Sequence, residues 1–413
     1  MAKPMKAEII AVGTELLTPH YTDTNSLFIT DKLNECGIDV HWKSVVGDNR
    51  DDLVDLLRIS LARSQLTVIC GGLGPTEDDL TREIVAEALH RPLFRNVELL
   101  EMIRKRYLSR NFSMPTRNEK QADVIEGAEI IENAWGTVPG LWIQDKASYI
   151  VLLPGPPNEL KPMMEKLVVP RLMALGGARR LARRLLYIAG MTESAVDELA
   201  APLYTRYPEI QTTILSSVNQ ISLSFARWIE PGANEADLDE LTKAVCEALG
   251  DAVFSTHGES LEQVIGNQLR ESNITLAVAE SCTSGIIGSR ITNVPGSSDY
   301  FLGGVLCYSN TAKENLCGVS RGTLEKHGAV STETAEALAQ GVRRALGSTI
   351  GLSVTGIAGP GGGSTEKPVG LVYLGLSDGK RNITHRRIFP GDREMIRKRA
   401  AAFALTCLRK FLL

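Results

Sequence analysis

Three segments of this 413-residue chain carry residue types that together could perform acyl-transfer chemistry. In TLAVAESCTSGIIGSRIT (275–292) an apolar run ends in Glu280, Ser281, Cys282 and Thr283 and passes into small residues. A serine at such a strand-to-helix turn stands at the carboxyl edge of a sheet, where α/β proteins form ligand crevices. The first backbone amides of the helix would face it and could bind an anion or a developing oxyanion. Ser281 and Thr283 equally suit plain helix capping. In YSNTAKENLCGV (308–319), Tyr308, Ser309 and Asn310 close another apolar run and Lys313 falls on the first turn of the next helix. The positive end of the helix dipole disfavours an ammonium there and lowers its pKa. A neutral lysine beside a serine hydroxyl can act as a general base. A solvated helix lysine is the plain alternative, and spacing leaves both open.

The third segment, LSVTGIAGPGGGSTEKPVG (352–370), opens an apolar strand into six glycines from Gly356 to Gly370. Such a loop lets backbone amides approach a phosphate or nucleotide, although it matches neither the Walker A pattern nor GxGxxG. Gly391, Asp392 and Arg393 begin a final helix, where Arg393 either binds phosphate in bidentate fashion or is a surface arginine. Near the N-terminus, VICGGLGPTEDDLTRE (68–83) joins a strand, the glycines Gly71, Gly72 and Gly74, and the carboxylates Asp78 and Asp79. Amides of the loop could meet a phosphate and the carboxylates a cation such as magnesium, or the aspartates simply suit a helix start. Thr14, Glu15, Asp23, Asn25 and Asp48 follow predicted strands and belong to the same sheet edge.

The elements that position these groups alternate in βαβ rhythm. Strands over 9–12, 40–46, 66–70 and 149–153, with helices over 25–36, 51–62 and 158–175, predict an α/β domain over 1–175 with a mostly parallel sheet. Gly176, Gly177 and Ala178 read as a boundary. A βαββα order follows over 176–257: strand 185–189, helix 193–204, strands 211–216 and 221–225, and helix 235–249. The third unit, 258–413, has helix 261–272, strands 275–279, 350–355, 370–377 and 383–389, and a helix from Arg393. The fold class is therefore α/β: two sandwich domains with mostly parallel sheets joined by a small α+β domain.

AESCT, YSNTAK, GIAGPGGG, KPVG and FPGDR, in this order, closely resemble the C-terminal domain of the competence/damage-inducible CinA family, known as nicotinamide-nucleotide amidohydrolase. That resemblance implies Ser281 as nucleophile and Lys313 as base, with no cofactor for the deamidation. It places Thr283, Tyr308, Thr355, Gly356, Gly359 and Arg393 at the substrate, nicotinamide mononucleotide. Tyr308 could stack on its pyridinium ring and Arg393 hold its phosphate. GTELL, DTN, GGLGPTEDDLTRE, KQADVIEGA and LPGPPNELKPM look like the N-terminal half of the same family, whose fold is similar to molybdopterin-binding domains. Some members carry a metal-dependent ADP-ribose pyrophosphatase there. By the resemblance Asp48 and Asp79 correspond to carboxylates of the molybdopterin-binding site, with Asp78 beside them as metal candidates and Gly71, Gly72 and Gly74 as the phosphate loop. The family also implies a KH-like middle domain, here without a GxxG loop, and a homodimer. Three departures stand out: Ser284 for a usual glycine, Gly303 for a common arginine, and Pro19-His20 for Gly-Gln.

Composition sets outer bounds. Hydrophobic residues at 43% and charged residues at 23% fit globular domains, while a net charge of -4 argues against broad nucleic-acid binding. Seven cysteines without a CxxC pair suit a reducing cytoplasm, and no apolar run suits a signal peptide or membrane span. Arg104, Lys105, Arg106 and Arg110 read as a solvated face or a cap over an acidic pocket. The rival functions are a non-catalytic nucleotide- or pterin-binding protein acting with partners in competence or DNA damage, and molybdopterin adenylylation.

Overall fold

The computed structural model describes residues 5–175, 179–218 and 220–413. These form a first compact unit, reaching Ala182 and including Trp228–Asn234, and a second made of Arg183–Arg227 and Glu235–Leu413. The boundary read at Gly176, Gly177 and Ala178 lies outside the described residues.

The first unit holds β1 (Lys6–Val12), β2 (Asp39–Val46), β3 (Leu66–Cys70), β4 (Leu93–Arg95), β5 (Asp123–Ile125), β6 (Ala128–Ile131), β7 (Gly140–Asp145) and β8 (Ser148–Leu153). Six of them form a sheet in the order β2-β1-β3-β8-β7-β6, parallel from β2 to β8 and antiparallel beyond. Its central strands read as unbroken apolar runs because both faces are covered. In β1, Ile9 and Ala11 enter one core with Val68 and Leu153, while Ile10 and Val12 enter another with Leu57 and Ile69. Side chains cap the two leading helices: Asp23 accepts from the Ser26 amide ahead of Thr24–Glu35, and Asn49 from Asp51 and Asp52 ahead of Arg50–Arg63. The helix expected over 158–175 is not uniform, since a π-helical turn, Met164–Val168, separates Pro157–Met163 from Val169–Leu175. Pro170 follows that turn and has no amide hydrogen to return to the preceding one.

The middle segment supplies β9 (Arg180–Ala189), β10 (Gln211–Ser217), β11 (Gln220–Ile229) and β12 (Val253–Ser255), ordered β10-β11-β9-β12. The last strand is absent from the βαββα reading because three residues are too short to show alternation. It pairs antiparallel with β9.

The remaining sheet comprises β13 (Leu276–Glu280), β14 (Phe301–Leu306), β15 (Ile350–Gly356), β16 (Leu371–Ser377) and β17 (Asn382–Ile388), in the order β14-β13-β15-β16-β17. β13 pairs parallel with β14 on one side and β15 on the other, and β16 and β17 continue antiparallel. The period of two along β13 sorts its side chains. Leu276 and Val278 join a core with Ile287, Ile291 and Leu405, while Ala277 and Ala279 join one with Cys307, Cys317 and Val342. Continued by two residues, the same alternation sends Glu280 toward the helix Ile286–Thr292 and Ser281 toward the helix Asn310–Cys317.

The helix Thr332–Leu346 covers the second face at backbone contact. A β-carbon at Gly351 of β15 would stand 2.0 Å from the Ala339 carbonyl oxygen, and one at Gly375 of β16 2.4 Å from that of Ala335. Overpacking a site of this kind is destabilising by about 1–3 kcal/mol. Gly351→Ala is therefore expected to lower the urea midpoint of the second unit, and an unchanged midpoint by circular dichroism would show that the helix can move away freely.

Candidate functional site

Ser281 directly follows β13, and its amide donates to the Val354 carbonyl. It caps nothing. The cap position of Ile286–Thr292 is Gly285, at φ 92°, with no side-chain cap bond. The helix amides that were expected to face an anion are already engaged by the Glu280 carboxylate. Gly285 and Ile287 donate to its Oε2 at 2.9 and 3.2 Å, and Gly288 to its Oε1 at 2.9 Å. Glu280 is 1% exposed, so these bonds are also what makes its burial tolerable. Ser284 adopts φ 47°, the left-handed conformation that glycine favours, and its hydroxyl donates to the Ser281 carbonyl. Burial pushes the Cys282 thiol up to about 12, which makes it a packing group rather than a nucleophile.

Lys313 lies on the first turn of Asn310–Cys317, a helix capped by Ser309. It is not solvated: the residue is 1% exposed. Its Nζ lies 3.2 Å from Ser281 Oγ, 2.8 Å from the Cys307 carbonyl oxygen and 3.2 Å from that of Tyr308. Among the described residues no carboxylate is paired with it. Burial holds its ammonium below the usual lysine range, against smaller opposing contributions led by Cys307. Desolvation is the largest cause.

Ser281, Lys313, Tyr308, Thr355, Gly356 and Arg393 meet around a cavity of about 160 Å³. Two expected residues do not line it. Thr283 is fully buried and its hydroxyl oxygen has no partner, while Gly359 lends its carbonyl to Arg393 Nη1 at 2.7 Å. Ala329 and Val330 complete the wall unforeseen. They lie in a short loop whose carbonyls are held from afar: Thr355 Oγ1 donates to Ala329 at 2.7 Å and Lys367 Nζ to Val330 at 2.8 Å. No local pattern marks a wall built by such long-range bonds. The lining carries Lys313 and Arg393 and no carboxylate.

In the first unit the loops after β1, β2, β3 and β8 converge on a pocket of about 580 Å³. Gly71, Gly72, Gly74, Asp48, Asp78 and Asp79 all line it, with Glu15, Asp23, Asn25 and Glu159. Gly71 is required sterically, because at φ 103° a β-carbon would meet the Val12 carbonyl oxygen at 2.1 Å. The carboxylates are engaged locally: Asp48 Oδ2 accepts from the Thr14 amide and hydroxyl, both at 2.8 Å, and Asp79 Oδ2 from the Thr76 amide at 2.9 Å. Asp78 is held below the usual carboxylate range chiefly by Thr76. Among the described residues, no three His, Cys, Asp or Glu gather to hold a metal. The expected trio therefore does not fit a cation held by protein alone. It does fit magnesium shared with substrate phosphates, which needs only one or two carboxylates. The basic helix face is tied down elsewhere, with Arg104 on Glu101 and Glu119 and Arg106 on the carbonyls of Asn133 and Gly136. Among the described residues no helix is long and apolar enough to cross a membrane.

Comparison with known proteins assigns residues 258–412 to the CinA C-terminal domain and residues 8–174 to a probable molybdopterin binding domain. A CinA-like protein of Koribacter versatilis is 48% identical over 414 residues, covering 99% of this chain and all of its own length. A CinA-like protein of Solibacter usitatus is 45% identical over 407 residues, 98% of either chain. The solved competence/damage inducible protein CihA from Agrobacterium tumefaciens is 38% identical, with a TM-score of 0.36, covering 36% of this chain and 92% of that one.

The Glu280 arrangement gives a direct expectation. Leaving buried amides without an acceptor costs about 1–3 kcal/mol each. Glu280→Ala should depress the thermal midpoint of the second unit, and a midpoint equal to that of the unaltered chain would mean that water replaces the carboxylate.

Proposed function

The chain belongs to the CinA family, and from that premise we propose that its second unit hydrolyses the carboxamide of nicotinamide mononucleotide with Ser281 as nucleophile and Lys313 as base. The observation that carries this reading is the buried Lys313 amine 3.2 Å from Ser281 Oγ. A neutral amine has two hydrogens and one lone pair. The carbonyls of Cys307 and Tyr308 take the hydrogens, and the lone pair is left for the hydroxyl of Ser281.

The steps balance. Ser281 Oγ attacks the amide carbon while its proton passes to Lys313 Nζ, and the carbonyl electron pair moves onto oxygen. Collapse of this adduct breaks the C–N bond, and Lys313 returns the proton to the leaving nitrogen, which departs as ammonia. Water then gives its proton to Lys313, attacks the ester carbon and releases nicotinate mononucleotide as the proton returns to Ser281. The cavity of about 160 Å³ is small beside the roughly 300–1,000 Å³ of drug-sized ligand pockets, which suits the ring and carboxamide with the ribose phosphate outside. Tyr308, exposed at the mouth, can stack on the cationic ring. Arg393 Nη2, 3.2 Å from Tyr308 Oη, stands where a phosphate would follow.

A second reading, ADP-ribose cleavage in the first unit, draws support from charge. Glu15, Asp23, Asp48, Asp78, Asp79 and Glu159 line that pocket and no Lys, Arg or His does. A pyrophosphate would enter only with cations, which would neutralise its oxygens and polarise phosphorus for attack. Asp48, Asp78 and Asp79 would hold the cation, with the 71–74 loop against the phosphates. A non-catalytic binding role predicts no turnover at either site.

Four outcomes are expected. Ser281→Ala abolishes ammonia release from nicotinamide mononucleotide, and release above trace would remove Ser281 from the mechanism. Lys313→Arg is as damaging as Lys313→Ala, because a guanidinium does not surrender its proton. As the neutral form is active, kcat/KM falls on acidification through the lowered Lys313 pKa, and a profile without this acid limb would point to another base. A chelator stops ADP-ribose cleavage and leaves ammonia release intact, and equal inhibition of both would misassign the two chemistries.

A further inference from the structure

The hydrolysis proposed above develops negative charge on the amide oxygen, and the helix amides nearest Ser281 are closed to it by Glu280. The Ser281 amide is held in the sheet and that of Ile286 donates to the Thr283 carbonyl. Among the described residues, no hydrogen bond to another residue takes up the amides of Cys282 and Thr283. Cys282 lines the cavity beside Ser281.

What fixes the direction of these two amides lies on another element. Arg397, one turn beyond Arg393 on the helix Arg393–Leu412, donates from Nε to the Cys282 carbonyl and from Nη2 to that of Thr283, both at 3.0 Å. It is half-buried and, among the described residues, has no carboxylate partner. A trans peptide points its C=O and N–H in opposite directions. The grip on the Cys282 carbonyl therefore turns the Thr283 N–H away from Arg397. Ser284 Oγ, 3.1 Å from the Ser281 carbonyl, does the same for the Cys282 N–H.

We infer that Arg397 is a positioning residue for the reaction: it clamps the turn after Ser281 by its carbonyls so that the amide of Cys282, the residue of that turn at the cavity, meets the oxyanion. This inference rests on the amidohydrolase reading. It separates two arginines one turn apart, Arg393 for the substrate and Arg397 for the backbone that stabilises the transition state.

The test compares Arg397→Gln, Arg397→Lys and the unaltered full chain. Losing one oxyanion donor costs about 10²–10³ in turnover. Arg397→Gln should lower kcat by about 100-fold with KM for nicotinamide mononucleotide nearly unchanged, because only the transition state carries the charge. The acid limb of kcat/KM should stay where it is, since Lys313 is untouched. Arg397→Lys, whose shorter side chain and single nitrogen do not reproduce the paired Nε and Nη2 contacts, should show the same split to a smaller degree. A further probe is the mononucleotide in which an aldehyde replaces the carboxamide. Ser281 Oγ adds to its carbon, the proton passes to Lys313, and the oxygen becomes the oxyanion. Its affinity should fall with kcat across the variants. Full kcat in Arg397→Gln, or equal loss of affinity for substrate and aldehyde, overturns the inference while leaving the hydrolase standing. Should Arg397→Gln fail to fold, Arg397→Lys with unchanged kcat overturns it alone. No ammonia release from the unaltered chain overturns the hydrolase reading itself, and this inference with it.

Discussion

Among the described residues the buried amine of Lys313 has no carboxylate partner, and the arrangement around Ser281 follows from keeping it so. An ammonium withdrawn from water without a counter-ion is strongly disfavoured, and the group responds by releasing its proton. The carbonyls of Cys307 and Tyr308, at the point where β14 gives way to the next helix, accept hydrogen bonds from the amine in either protonation state. A free carboxylate in the cavity would pair with Lys313 and hold it charged. Glu280, immediately before Ser281 in sequence, is kept from that role by the three amides of the opposite helix. One residue of strand period thus separates a carboxylate from the amine that it would hold charged.

The two pockets solve opposite electrostatic problems. The cavity of the second unit presents Lys313 and Arg393 without an acid, which suits an anionic nucleotide whose ring is cationic. The pocket of the first unit presents six carboxylates without a base, which suits a ligand that brings its own cations. In both, the loops sit at the carboxyl ends of parallel strands, where the backbone leaves the sheet and its hydrogen-bonding groups become available.

Strands with two covered faces were legible in the sequence because burial on both sides favours unbroken apolar runs, as in IIAV, VIC and LAVA. The start of the last helix was legible at Asp392, whose side chain accepts from the Met395 amide. The proximity of Ser281 and Lys313 was legible only through resemblance, since 32 residues separate them and the register of β13 with β14 brings them together. What stayed hidden depends on distant partners. Glu280 reads as the polar end of a strand, yet it caps a helix from across a turn. Arg397 reads as one of several arginines in a basic helix, and only its bonds to Cys282 and Thr283 single it out. Ala329 and Val330 carry no chemical signal of their own, and β12 is too short to show a period.

The central claim is that Lys313 is neutral at working pH inside the folded chain. Lysine labelled with carbon-13 at the ε position reports the charge of each amine by NMR, and Lys313→Met identifies its resonance by subtraction. This resonance should titrate below the roughly 10.4 of a free lysine, apart from the other lysines. A Lys313 resonance that titrates with the surface lysines would contradict it.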